Sequence, residues 1–332
     1  MSAYIARRLV SAFLVLAAVI TLVFLLMTQI GDPAAATLGN QATPEAVQEF
    51  NERYGLDRDV DAQFLGYLGL MRCQRPNSPV YDDDEAKNGY CGLLQGDFGE
   101  SFLHNDPVAE VILRRLPRTL LLGAFALLFE LVIGLGFGVF AALRRNRWQD
   151  TSIMSTAYLG QSLPSYVTGP IFLSYAAFLF GLFPVGGYGS TPLEHVQHAV
   201  LPAFTLAILG ASTYARVTRS EMLDALQSDY VRTAKAKGLA PRHVLGHALR
   251  NALLPVVTLA GLSLRLLVGG AIITEQIYGW PGMGKLAVES IVNVDAPTVM
   301  GVVFFVALAV QLGNLLADLA VAALDPRVRL AG

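Results

Sequence analysis

Long apolar runs separated by polar stretches constrain the fold of this 332-residue chain more than any other feature. The first run extends from Leu9 to about Ile30 and follows the pair Arg7-Arg8. A signal peptide has an apolar core of only about 7 to 15 residues, whereas about 20 apolar residues in a helix cross a bilayer. The run therefore predicts a retained membrane helix.

Five further apolar runs follow. We predict membrane helices over 116–143, 151–181, 200–217, 252–278 and 297–324. The composition agrees, because 54% of the residues are hydrophobic and only 15% are charged, against about 25% charged in an ordinary soluble domain. The sequence thus predicts an all-α integral membrane protein with six transmembrane helices. Its net charge of −2 argues against a nucleic-acid partner.

The basic residues predict the orientation of these helices. Lys and Arg are concentrated at the N-terminus, at 144–147, between Arg216 and Arg250, and at the C-terminus. Because cytoplasmic loops carry an excess of Lys and Arg, we expect both termini and the loop 218–250 in the cytoplasm. We divide the chain into a first helix (1–30), an extracytoplasmic extension (31–115), a transmembrane core (116–325) and a cytoplasmic tail (326–332).

Both cysteines, Cys73 and Cys91, lie in the acidic extension. Outside the cytoplasm a pair of cysteines favours a disulfide, so we expect Cys73–Cys91 to be bonded. The alternative is two unpaired thiols. Closing a loop of this length stabilises a fold by about 3 kcal/mol in the chain-entropy model.

A strongly basic segment, Ser228 to Pro255, lies between two of the apolar runs. Ser228 or Asp229 is suited to cap a helix, Gly238 to end it with a positive φ, and Pro241 to begin the next helix. A helix of under three turns is marginal alone, so we expect this one to dock against a partner. The alternative is an ordinary basic cytoplasmic loop.

The segment resembles the EAA loop of binding-protein-dependent ABC importer permeases at Tyr230, Ala234, Gly238 and Leu254-Pro255. It has Arg232-Thr233-Ala234 where the literal motif has Glu-Ala-Ala, as is usual in the peptide-type branch. The resemblance covers most of the chain, through the starting MSAYIARRL, GDFGES (96–101), RLPRTLLL (115–122), EQIYGWPGMG (275–284) and LDPRVR (324–329). The chain resembles the B-type permease subunit of dipeptide, oligopeptide and nickel ABC importers.

The resemblance implies a type I importer permease in a bacterial inner membrane. Such a subunit forms half of a pathway for peptides with a second, homologous permease. Two ATP-binding subunits bind ATP and Mg²⁺ and hydrolyse the ATP, and an external solute-binding protein delivers the substrate. We therefore expect that this chain is not an enzyme and binds no cofactor. The coupling helix that contacts the ATPases would comprise Asp229, Tyr230, Arg232, Thr233, Ala234, Lys235, Lys237, Gly238 and Leu239.

Several residues within the apolar runs are candidates for the translocation path. Glu130 and Arg265 are ionisable, and a charge inside a membrane helix indicates a functional site by default. They could pair with each other, line the path, or extend towards a headgroup. Pro164, flanked by Ser162 and Ser165, should break the third helix, either beside the path or as a purely structural kink.

Other functions receive less support. The GWPGMGKL motif has Leu286 where a nucleotide-binding P-loop needs Ser or Thr for magnesium, so we reject a nucleotide site. Two pairs of histidines, His195/His198 and His243/His247, have the spacing to hold a metal ion, but neither pair has an evident third ligand. We therefore interpret them as ordinary loop histidines. The alternatives are an importer of the same family for nickel or another small solute, or a secondary transporter, which Glu130 alone supports weakly.

Overall fold

The structure, a computed structural model, describes residues 2–39, 42–72 and 89–324. These residues form helices with two isolated β-bridges, which confirms the predicted all-α class. A 3-10 turn (Leu93–Gln95) and a π-helical segment (Leu173–Leu179) accompany the α-helices. The α-helices are α1 (Ser2–Ile30), α2 (Pro33–Leu38), α3 (Pro44–Tyr54), α4 (Val60–Leu68), α5 (Val108–Leu143), α6 (Trp148–Ser162), α7 (Ser165–Phe172), α8 (Pro192–Gln227), α9 (Asp229–Ala236), α10 (Pro241–Gly270), α11 (Ile272–Ile277), α12 (Met283–Val292) and α13 (Ala296–Leu324).

Among the described residues, four helical stretches are long and apolar enough to cross a membrane: Val10–Ile30, Val108–Leu143, Pro192–Gln227 and Ala296–Leu315. They match the first, second, fourth and sixth predicted spans. The third predicted span, 151–181, is divided into α6, α7 and the π-helical segment. The fifth, 252–278, is divided between α10 and α11.

One compact unit comprises residues 119–281 and the part of α13 from Ala309 onwards. Within it α8 packs against α6, α7, α10 and α11. Helix α5 also approaches α8 closely, because a Cβ atom at Gly138 would lie only 2.6 Å from the Cβ of Thr218. Glycine is therefore required at this crossing, and α8 is the helix around which the unit is packed.

The other compact unit comprises residues 2–118 and 282–308. A buried carboxylate, Asp295, organises it by accepting hydrogen bonds from the hydroxyls of Ser101 (2.6 Å) and Thr298 (2.7 Å) and from the backbone N–H of Phe102 (3.1 Å). Because Asp295 immediately precedes α13, these bonds attach the glycine-rich GDFGES turn to the start of that helix.

Candidate functional site

The basic segment forms a short helix, α9, as the sequence predicts. Ser228 has the extended backbone of an N-cap residue, and α9 begins at Asp229. Gly238 adopts a φ of +75°, so that the chain reverses where a side chain would be strained. Pro241 then begins α10. The predicted sequence of helix, glycine turn and second helix is confirmed.

One side chain, Val231, attaches α9 to the neighbouring helices. It is fully buried, in a cluster that includes Ala142 of α5, Met222 of α8 and Val244 of α10. Ala234 is half-buried against the same cluster. Burying a valine side chain contributes roughly 1.5 to 3 kcal/mol, so α9 is held firmly on a three-helix support.

The remaining surface of α9 and of the turn after it is exposed and carries more cations than anions. Asp229, Tyr230, Arg232, Thr233, Lys235, Lys237 and Gly238 are exposed, whereas Leu239 is half-buried like Ala234. Arg232 lies 3.5 Å from Asp229 in a fully solvated ion pair, and such pairs contribute little. The surface therefore offers cations and an aromatic ring to a partner.

Val231 was missing from the residues predicted for this site, although a signal for it existed. Val231 and Ala234 are three positions apart, the spacing of an apolar helix face, and Asp229, Arg232 and Thr233 occupy the opposite face. The sequence prediction treated the segment as one contact surface. The structure divides it into an inward face that anchors the helix and an outward face.

An ion pair between a partly exposed arginine and a buried carboxylate connects α8 to the first turn of α6. The Nε and Nη2 atoms of Arg219 donate to the two carboxylate oxygens of Asp150 at 2.5 and 2.7 Å. The backbone N–H of Asn146 donates a third bond at 3.1 Å. The Arg219 hydrogen bonds hold the pKa of Asp150 below its usual value. This pair joins the end of α8 nearest α9 to the helix that leads to Pro164.

Two further contacts extend this connection along α6 and α8. The guanidinium of Arg216 lies over the ring of Tyr158, 5.3 Å from its centroid. Deeper in the pair, a Cβ at Gly160 would lie 2.6 Å from the hydroxyl of Ser212, so the backbones approach closely there. Residue numbers rise along α6 as they fall along α8, and the two helices therefore pack antiparallel over several turns.

The candidate path residues occupy separate places in this unit. Glu130 of α5 is 7% exposed and packs over Gly210 of α8, where a Cβ would lie 2.1 Å from its carboxyl carbon. Its Oε2 atom has no hydrogen-bond partner among the described residues. Arg265 lies in α10, and its side chain is outside the part of the chain that the structure describes. The Glu130–Arg265 pair stays a prediction.

The break at Pro164 has the predicted position. Helix α6 ends at Ser162, Pro164 has extended backbone angles, and α7 begins at Ser165. The hydroxyl of Ser162 donates to the carbonyl of Tyr158, four residues earlier, at 2.9 Å. Ser162 and Pro164 are exposed, so they are available to a partner or to a path, and their role there stays a prediction.

A cavity of about 270 Å³ lies against the polar extension, and its lining combines apolar residues such as Phe102 and Met300 with Glu100 and three arginines. Arg53, Arg58 and Arg72 line it, although residues 31–107 hold fourteen Asp and Glu against five Lys and Arg. Three of these five cations thus line one cavity.

The remaining predicted features have the following positions. Cys91 is buried, but Cys73 lies outside the described residues, so their pairing stays a prediction.

The rings of His195 and His198 form hydrogen bonds with the backbone carbonyls of Tyr188 and Gly186. No group of three metal-ligating side chains occurs in the described ranges. In the GWPGMGKL motif, Trp280 is fully buried and Gly279 has a φ of +60°.

Comparison with known families gives matches over nearly the whole chain. Residues 134–330 match the family described as binding-protein-dependent transport system inner membrane component. Residues 1–123 match its companion, described as the N-terminal part of binding-protein-dependent transport system membrane components.

Individual relatives agree with these matches. The chain is 37% identical to the oligopeptide transport system permease protein AppB of Bacillus subtilis (strain 168), with 99% of both chains covered. It is 35% identical to the glutathione transport system permease protein GsiC of Salmonella typhi, with 98% of both covered. Among solved structures, an inward-facing MetNI methionine ABC transporter aligns with a TM-score of 0.52 at 18% identity, over 65% of this chain and 96% of that chain. That likeness confirms the expected fold.

Proposed function

Because this chain belongs to the family of binding-protein-dependent transport system inner membrane components, we propose that it forms half of a membrane pathway for short peptides. A second, homologous permease supplies the other half. Two ATP-binding subunits drive the cycle from the cytoplasm of a bacterium, and an external solute-binding protein delivers the substrate. ATP and Mg²⁺ bind to those subunits, and this chain carries out no chemistry itself.

The observation that carries the proposal is the division of α9 into two faces. Val231 anchors the helix to α5, α8 and α10, and the exposed surface presents Tyr230, Arg232 and Lys235. A push on the exposed face by an ATP-binding subunit is therefore transmitted to the membrane helices instead of bending a loose loop. We propose that the exposed members of the predicted set are the direct contacts and that Ala234 and Leu239 support them.

Transmission to the pathway follows from the contacts of α8. This helix is continuous from Pro192 to Gln227, and the Asp150–Arg219 pair and the crossing at Gly160 attach α6 to it. A displacement of α9 thus carries α8 and α6 together and reaches the break at Pro164. We propose that Ser162, Pro164, Ser165 and Glu130 lie beside the path, which this movement opens alternately to the two sides.

The proposed substrate is a peptide because relatives at 35 to 37% identity are named as oligopeptide and glutathione permeases. The external extension, 31–115, is proposed to receive the solute-binding protein, and the cavity lined by Arg53, Arg58 and Arg72 supports a contact there. An importer of nickel or another small solute would share the same architecture. Uptake of labelled dipeptides and of nickel by cells with and without the chain separates these substrates.

Crosslinking tests the coupling contact. In a variant with Cys73→Ala and Cys91→Ala, a cysteine replaces exposed Thr233, and the complex with its ATP-binding subunits is treated with a short bifunctional reagent. We expect a crosslink whose yield changes with ATP, and no such crosslink from a control His247→Cys, which is exposed on α10. An assembled complex without a Thr233→Cys crosslink would contradict the role of α9.

A further inference from the structure

The turn between α5 and α6 places exposed cations beside an exposed tryptophan. Arg144, Arg145 and Arg147 are exposed, and Trp148, the first residue of α6, is 75% exposed. The chain's other tryptophan, Trp280, is fully buried. Tryptophan is enriched at the membrane–water interface, where its ring lies among the headgroups, so this exposure is explained more readily by lipid than by water.

An apolar stripe on α5 continues into this turn. Phe137 and Phe140 are 53% and 45% exposed, and Arg144 follows them at helical spacing. The guanidinium of Arg144 lies 5.7 Å from the centroid of the Phe140 ring, which shows that the side chain remains beside the stripe. Arginines at the ends of membrane helices extend in this way towards headgroups. The face therefore changes from apolar to cationic within one helical turn.

The turn is held in a fixed conformation. Asn146 has a φ of +61°, and its N–H donates to Asp150, which Arg219 binds from α8. Asp150 is the one carboxylate in residues 144–150, and it is already paired with Arg219, so the three arginines of the turn keep an excess of positive charge. Cations held in place by a rigid backbone lose less entropy when they bind an anion than cations on a mobile loop.

We propose that this turn binds the headgroups of anionic phospholipids, with Arg144 and Arg147 on the phosphates and the Trp148 ring at the level of the headgroups. The inference rests on the proposed function, in which α9 meets ATP-binding subunits in the cytoplasm. The Asp150–Arg219 pair holds the turn against the end of α8 nearest α9, and the cytoplasmic leaflet is anionic. The contact keeps the adjoining ends of α5 and α6 at the membrane surface while α9 receives its push. The apolar stripe favours lipid over an ATP-binding subunit as the occupant, because it is continuous with the cations.

Brominated lipids, which quench tryptophan fluorescence on contact, test the proposal. The complete complex is reconstituted in nanodiscs of phosphatidylglycerol and phosphatidylcholine, with either lipid brominated in turn. The fluorescence of Trp148 is obtained by subtracting the fluorescence of the complex that carries Trp148→Phe from that of the complex with the natural chain. We expect quenching by both brominated lipids, and stronger quenching by brominated phosphatidylglycerol than its share of the bilayer explains.

Charge variants test which arginines produce the preference for phosphatidylglycerol. Arg144→Gln with Arg147→Gln should lower the preference for phosphatidylglycerol by on the order of tenfold or more, since each cation near the surface contributes to anionic-lipid binding. The paired Arg→Lys variant should retain it. A control, Arg242→Gln, removes an exposed cation from the start of α10 and should leave it unchanged.

Two results would overturn the lipid site. One is Trp148 fluorescence that neither brominated lipid quenches. The other is a Trp148 signal that responds only to adding or removing the ATP-binding subunits, which would assign the turn to them. Failure of those subunits to co-purify with the chain is a separate reading on the same samples, and it would contradict the proposed function instead.

Discussion

Asp150 and Arg219 should contribute to stability as one unit. The Asp150 side chain is 5% exposed and accepts two hydrogen bonds from Arg219 and one from the backbone of Asn146. Asp150→Ala leaves the guanidinium, 26% exposed, without this partner. A hydrogen bond to a charged group contributes about 1.5 to 3 kcal/mol, and solvent at the partly exposed Arg219 recovers some of the loss. We therefore expect a cost of about 2 to 4 kcal/mol.

A double-mutant cycle measures the pair directly. Asp150→Ala, Arg219→Ala and the double variant are unfolded reversibly in mixed detergent–SDS micelles, and helicity is followed by circular dichroism. Because either single change already breaks the pair, the double variant should cost little more than either one. We expect an interaction energy of about 1.5 to 3 kcal/mol.

A matched cycle provides the control. Arg114 and Asp106 also form an ion pair, but their side chains are 57% and 42% exposed, and exposed pairs contribute at most about 1 kcal/mol. If the costs of Asp150→Ala and Arg219→Ala add within about 0.5 kcal/mol, or if the two cycles give equal interaction energies, then the pair does not join α6 to α8.

Three further predictions follow from the same unit. The pKa of Asp150 is lowered in the folded state. The stabilisation from its ion pair should therefore be complete above the ordinary aspartate pKa of about 3.9 and should disappear as the pH falls through the lowered value. Measurements of unfolding at stepped pH, with Asp150→Ala as the control, check this. Gly138→Leu should prevent assembly, because a Cβ there already meets Thr218, whereas Gly136→Ala, with nothing within 4 Å, should assemble normally on size-exclusion chromatography. Val231→Asp should abolish ATP-driven uptake by burying an unpaired carboxylate beneath α9, while the exposed change Thr233→Ala should reduce uptake much less.

Local patterns predicted the elements of the fold well. Apolar runs of about 20 residues indicate membrane helices whatever lies around them, because a bilayer requires that length. Gly238 and Pro241 indicated the end of α9 and the start of α10 because their backbone restrictions are intrinsic. The break at Pro164 followed from the same restriction.

The sequence by itself thus determined which segments are helical, where they are interrupted and which family they belong to, because each of these depends on residues close together in the chain. Only the tertiary structure decided which side chains meet. Asp150 and Arg219 are 69 positions apart, Glu130 lies over Gly210, and Val231 points inward while its neighbours are exposed. Such contacts depend on the register between helices, and that register is set by close backbone approaches such as Gly138 against Thr218, which hydropathy and local propensity do not encode.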